Sequence, residues 1–412
     1  MGVFLRRQRL AASAVIGVVA IGVTGVTVAA PPLLRQASAA DEPVPRDTPR
    51  RPGLAPAGVG RLAAAKHPTR SGPSAARPQQ GLTPATPPPS TADTSVSIGV
   101  PASASSVKPP AATLGRHVLP LIIGHRGASA YRPEETLGSY RLAIAQGADY
   151  IEADLVMTGD GALVARHENE LSAATDVATH PEFADRRRTK TINGATVTGW
   201  FTEDFTLAEL RTLRAVRRGQ RTPASTDVIP TLQEIIHLAR TQRRTVGLYL
   251  ELKTPAYFTS LGLAPEPVLV EALRASRLAG ATAPVYVESF DAASLRSVHQ
   301  LVDVPEIQLV GGTAATGTAL APAELSGIRE YAVGIGIDRA RLGDNGPDAQ
   351  ALVDRAHGDQ LEVHVFTFAG DAQIAYRGCF GLGVDGLFTD NPDLALTARR
   401  QLTASTAGPK AV

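Results

Sequence analysis

The chain has 412 residues, 43% of them apolar, a formal charge of +2 and one cysteine, Cys379. A single cysteine excludes an intrachain disulfide and a multi-cysteine zinc site. The basic excess falls within the first 116 residues, ahead of the part with globular texture, and this argues against nucleic acid as a partner.

At the N-terminus, Arg6, Arg7 and Arg9 precede an uncharged apolar run from Leu10 to Leu34, and Ala37-Ser38-Ala39 follows as a small-residue cleavage site. Residues 1–40 are therefore expected to be an export signal, making the protein secreted or extracytoplasmic. The run is also long enough to stay in a bilayer, so the membrane is a partner only if the segment is retained as an anchor. The Gly-, Ala- and Val-rich makeup favours cleavage. The Arg6-Arg7 pair hints at twin-arginine export, although its flanks fit that pattern poorly. Residues 41–116 hold 15 of the 31 prolines, with Ala, Ser, Thr and Gly filling most of the rest. No apolar periodicity runs through them, which predicts a disordered Pro/Ala-rich linker.

From residue 117 to about 402 the texture changes. Short apolar or β-branched runs alternate with helical patterns, the mark of βαβ units and a parallel sheet. The strand candidates are Val118–Gly124, Tyr150–Met157, Val246–Leu252, Val285–Phe290, Ile307–Val310, Val333–Ile337, Leu361–Phe368 and Gly386–Thr389. Eight of them predict an α/β protein of the TIM-type (β/α)8 barrel class; a doubly wound open sheet is the alternative. Leu163–His167 reads as a short return strand after the turn Thr158-Gly159-Asp160-Gly161. Residues 168–229, with Trp200 and scattered arginines, show no clean strand and are expected to be an insertion over the active face. Residues 403–412 are expected to be a disordered tail.

Catalytic groups of such barrels sit at the C-terminal ends of strands. The first strand ends in His125-Arg126-Gly127, the second holds Glu152-Ala153-Asp154, and the third holds Glu251-Leu252-Lys253. Alternation along a strand puts Glu152 with Asp154, and Glu251 with Lys253, on one face. Three carboxylates converging in a barrel mouth repel one another unless a cation neutralises them, and their hard oxygens suit Ca²⁺ or Mg²⁺ better than zinc, with Ca²⁺ expected ahead of Mg²⁺. An E-x-D pair alone is equally a salt-bridged rim; the third carboxylate tips the balance to a metal site. His125 and His167 supply proton transfer near neutral pH, one to activate an attacking hydroxyl and one to protonate a leaving alkoxide. Arg126 and Lys253 suit phosphate oxygens, or could pair with the carboxylates. His67, His117, His180, His237, His299 and His357 are left as surface or packing residues.

These pieces resemble one family. Gly124-His125-Arg126-Gly127-Ala128, Pro133-Glu134-Glu135-Thr136, Gly147 to Thr158 and His167 look like the signature of the glycerophosphodiester phosphodiesterases. Glu251-Leu252-Lys253, Ser289-Phe290 and Gly386 to Pro392 follow in the family's order, and Pro255-Ala256-Tyr257-Phe258 is similar to its exported bacterial members. The resemblance implies a (β/α)8 barrel that releases sn-glycerol 3-phosphate and an alcohol from deacylated phospholipids. It further implies His125 and His167 as the acid/base pair, Arg126 and Lys253 as phosphate ligands, and Glu152, Asp154 and Glu251 as metal ligands. The substrate's own glycerol hydroxyl then attacks phosphorus, and water opens the cyclic phosphate.

Three departures bear on the pocket, one of them Ala369, which lies where a polar residue is frequent. Glu135 stands where the family often has Asn or His, and Phe366-Thr367 stands for a common W-T or Y-T pair. Glu288, Phe290, His364 and Phe366 are the candidate pocket residues, with a packed core as the alternative for His364 and Phe366. Other readings are the same fold acting on a lysophospholipid or a wall teichoic-acid phosphodiester, or a non-catalytic surface module that binds phosphodiesters.

Overall fold

The computed structural model describes residues 119–406, apart from 221, 224 and 312–319. The expected export signal and linker lie outside the described residues. Among those described, no helix is long and apolar enough to cross a membrane.

Strands β1 (Leu121–Gly124), β2 (Tyr150–Met157), β6 (Gly247–Leu252), β7 (Val285–Ser289), β8 (Glu306–Val310), β9 (Gly334–Asp338), β10 (Glu362–Phe368) and β11 (Gly386–Thr389) pair in parallel. β1 pairs with both β11 and β2, which closes the sheet into a barrel. The short β3 (Leu163–Ala165) returns antiparallel along β2, as the glycine-rich turn before it predicts. Helices between the strands cover the outside, so the strands are buried on both faces and read as nearly continuous apolar runs. In β2 all eight residues are buried, Glu152 and Asp154 included.

Local chemistry sets the helix starts. Thr136 caps α1 (Leu137–Ala145) by accepting from the Ser139 amide, and Thr231 with Glu234 forms a capping box on α3 (Leu232–Arg240). The last helix, α10 (Pro392–Thr406), runs past the expected end of the domain. Its Arg399 pairs with Asp149 ahead of β2, and Asp149 also accepts from the Ile122 amide at 2.8 Å, which ties the last helix to the first two strands.

The insertion differs from expectation. Residues 168–229 contain an antiparallel hairpin, β4 (Arg188–Ile192) and β5 (Ala195–Gly199), together with short 3₁₀ turns and the one-turn helix α2 (Leu207–Leu210). Glu203 anchors this segment to the barrel side. It accepts from Asn169, from Lys190 at 2.8 Å, and from the hydroxyl of Tyr257 in α4 (Pro255–Ser260) at 2.6 Å.

Candidate active site

Strand register brings the acids together. Asp154 of β2 is the partner of Glu251 in β6, and Glu251 is the partner of Glu288 in β7, so three neighbouring strands each aim a carboxylate into the barrel. Glu152, two residues before Asp154, shares its face. Glu152, Glu251 and Glu288 offer oxygens within 4.8 Å of one another, and all three are buried. Across from them, Gly336 of β9 leaves open the space where a Cβ would collide with Leu309.

The acids are not equivalent. Asp154 is bridged by Arg126 Nε at 3.0 Å and Lys253 Nζ at 3.5 Å, and these cations hold it well below the usual range although burial alone would raise it. Burial pushes Glu251 up to about 8, with Lys253, 2.8 Å away, pulling down and Asp154 pushing up. Burial, then facing carboxylates, also raises Glu152 and Glu288 well above the ordinary value. Glu288 Oε2 is buried with no hydrogen-bond partner. Clustered oxygens with an unsatisfied one among them fit a hard divalent cation, which would neutralise the repulsion. The sequence expectation named Glu152, Asp154 and Glu251 for this role. The structure sets Glu288 beside Glu152 and Glu251, while Asp154 adjoins the trio and is engaged by cations.

Both histidines line one cavity of about 190 Å³ together with Arg126, Lys253, Glu152, Glu251 and Glu288. His125 follows β1 and meets Asp390, the residue after β11, at 2.6 Å through Nδ1. Ser129 donates to the same Asp390 oxygen at 2.8 Å. His167 Nδ1 meets Glu168 at 2.6 Å. A carboxylate only accepts, so each Nδ1 carries the proton and each Nε2 is left for chemistry. Burial and then the Arg126 charge lower His125 below its ordinary value, against the pull of Asp390.

Arg126 is held on every side. Its φ of 54° is left-handed, an uncommon conformation for a non-glycine residue, and it aims the backbone amide at Glu152, 2.5 Å away. Gly127 follows at φ 87°, where a Cβ would collide with Ser139. Glu135, the departure noted in the sequence, is fully buried at φ 58° and does not face the cavity. It accepts from the Tyr140 hydroxyl and from the Asp154 amide, and its carboxylate lies within 4.8 Å of those of Glu152 and Asp154, a second buried acid group that takes in Asp154.

Of the four pocket candidates, Glu288, Phe290 and Phe366 line the cavity. His364 does not. It is fully buried in β10, 2.6 Å from the Tyr249 hydroxyl, because it sits two residues before Phe366 and so deeper in the barrel. The residues with no assigned role in the sequence reading are Asp390, Glu168, Glu134 and Arg218. The first three lie in or beside the motifs quoted above, and that proximity was the available signal. Arg218 lies in the insertion and carries none.

The family model described as the glycerophosphoryl diester phosphodiesterase family matches residues 125–394. A glycerophosphodiester phosphodiesterase of Arabidopsis thaliana is 34% identical over 315 residues, covering 66% of this chain and 83% of its own. One from Bacillus subtilis is 32% identical over 285 residues, covering 66% and 84%. Among solved structures, an Oleispira antarctica phosphodiesterase in complex with the product sn-glycerol-3-phosphate is similar with a TM-score of 0.52 at 24% identity, covering 68% of this chain and 96% of that one. Every residue that builds the mouth lies inside the matched stretch, and the chain belongs to the glycerophosphoryl diester phosphodiesterase family, whose glycerophosphodiester-cleaving activity it carries.

Proposed function

We propose that the chain hydrolyses glycerophosphodiesters to sn-glycerol 3-phosphate and an alcohol, outside the cytoplasm, with His125 and His167 exchanging acid and base roles. The observation that carries this reading is the pair of carboxylate-held histidines lining one cavity with buried acids, Arg126 and Lys253. The product bound to the Oleispira antarctica relative supports the product named here.

In the first half, one histidine takes the proton from a glycerol hydroxyl of the substrate. The resulting oxygen bonds to phosphorus, the P–O bond to the alcohol breaks, and the other histidine protonates the departing alkoxide. In the second half the now neutral histidine takes a proton from water, whose oxygen attacks phosphorus. The ring P–O bond opens and its oxygen takes the proton from the first histidine, which restores both. Arg126 and Lys253 face the non-bridging oxygens throughout. A divalent cation held by Glu152, Glu251 and Glu288, with Asp154 alongside, would supply Lewis-acid polarisation of the phosphate, and the all-oxygen donor set suits a hard cation such as Ca²⁺ or Mg²⁺. The apolar run and A-x-A of residues 10–39 support export.

Release of glycerol phosphate from glycerophosphocholine tests the reading. His125→Ala and His167→Ala each lose activity by about 10²-fold to 10⁴-fold, and a chelator suppresses it until Ca²⁺ or Mg²⁺ is returned. Full activity in either variant overturns the histidine roles, and indifference to the chelator overturns the cation.

A further inference from the structure

We propose that Arg218, carried by the insertion rather than by the barrel, is a positioning residue for this reaction, fixing His167 through Glu168 and steadying Arg126 through Glu134. The inference rests on the two-histidine reading and adds to it a part that lies outside the barrel strands.

Arg218 Nε lies 3.0 and 2.8 Å from the two oxygens of Glu134, and Nη2 lies 2.7 Å from Glu134 and 2.5 Å from Glu168. The other oxygen of Glu168 holds His167 Nδ1 at 2.6 Å, and Glu134 reaches Arg126 Nη1 at 3.4 Å. One planar fork thus ties together the carboxylates behind two residues of the mouth, a geometry that a point charge on a flexible stem reproduces poorly.

The two branches are not equally dependent on it. Burial would raise Glu134, yet Arg218, Arg126 and Arg166 together hold it low, so two cations remain beside it when Arg218 is removed. Glu168 is 40% exposed, and among the described residues His167 and Arg218 are the partners that hold it low against burial. Without Arg218 its carboxylate is free to turn to water, and the His167 ring loses the contact that fixes its orientation. The loss therefore falls on kcat, through the proton transfer of His167, and hardly on KM.

The insertion offers its own control. Arg217, the neighbour, donates to the Ala130 carbonyl at 2.6 Å and tethers the same segment without touching Glu134 or Glu168.

The test is steady-state kinetics on glycerophosphocholine with the full chain. Arg218→Ala lowers kcat by about tenfold to a hundredfold, the scale of losing an outer orienting partner, with KM within about threefold of wild type. Arg217→Ala leaves both unchanged, and guanidinium in the buffer restores part of the Arg218→Ala activity. Combined with Glu168→Gln, Arg218→Ala costs much less than the product of the single losses, since both act through one contact. If Arg218→Ala melts early, Arg218→Gln, which keeps a shorter polar side chain without the guanidinium fork or charge, takes its place in the same cycle. Wild-type kcat in the Arg218 variant, or multiplicative losses in the double variant, overturns the proposal. His167→Ala separates this from failure of the parent reading: an active His167→Ala overturns both, whereas an inactive one beside an unaffected Arg218 variant overturns only the positioning role.

Discussion

Near the C-terminal ends of β6 and β7, Glu251 and Glu288 bring their carboxylates within 4.8 Å of that of Glu152. Two residues before each of them on those strands, the inward groups bond to partners across the barrel. Tyr249 bonds His364 at 2.6 Å, Tyr286 donates to Glu362 at 2.8 Å, and the Tyr249 and Tyr286 rings stack at 5.0 Å. Strand alternation sends both sets inward, so direction alone does not separate them. What separates them is the partner and the opening. The deeper pairs offer phenol and imidazole hydrogen-bonding partners, whereas the mouth offers Arg126, Lys253 and a cavity of about 190 Å³. Burial pushes Glu362 up to about 7, with its bond from Tyr286 pulling down and Asp385 pushing up. An ionisable group becomes chemistry here by its height along the strand.

Substitution of one carboxylate from each layer sharpens the contrast most. Glu288→Gln raises the cation concentration needed for half-maximal activity by about tenfold to a hundredfold, while Glu362→Gln leaves it unchanged. A Ca²⁺ titration of glycerol phosphate release checks both; equal shifts in the two variants would erase the distinction between layers.

The next effect concerns pH. In the folded protein Glu362 titrates near 7, above the unfolded value of about 4.3. Between those values the folded state holds a proton that the unfolded state has lost, so this group's contribution to stability falls as pH rises through the window and levels off above 7. Glu362→Gln removes that slope, a change on the order of 3–4 kcal/mol across the window. Urea unfolding at pH 5, 6, 7 and 8 reads it, and a slope that survives in the variant would assign it to another group.

The smallest expected effect is Tyr249→Phe. It leaves a buried imidazole short of one bond and costs about 1–2 kcal/mol of stability. Because the phenol lies below the cavity, kcat stays at the wild-type value. Unfolding and turnover measured on one preparation test it, and a fall in kcat would bring the deeper layer into the mechanism.

The eight strands were legible because a strand buried on both faces has to be apolar along its length, whichever way each side chain points. Tyr150–Met157 and Gly386–Thr389 match the structure residue for residue. The insertion hairpin was missed for the opposite reason. Its strands are largely exposed, so no burial pattern marks them. The turn nevertheless carried a signal, since Asn193-Gly194 is the dipeptide that tolerates the positive φ of 49° and 80° found there. In the site, the histidines, Arg126 and Lys253 were legible from strand ends. The partner of His125 was not, since 265 residues separate it from Asp390, whereas Glu168 lies next to His167 and could have been named.

By itself the sequence determined the barrel, the cation-and-carboxylate character of its mouth, and the two histidines, because alternation and strand ends are local properties of the chain. Only the tertiary structure decided that Glu288 joins Glu152 and Glu251, that His364 belongs to the packed layer, and that Asp390 and Glu168 hold the imidazoles. The acid cluster and the Asp390 contact depend on register and closure between strands far apart in the chain, whereas Glu168 adjoins His167 and only its rotamer was left to the fold.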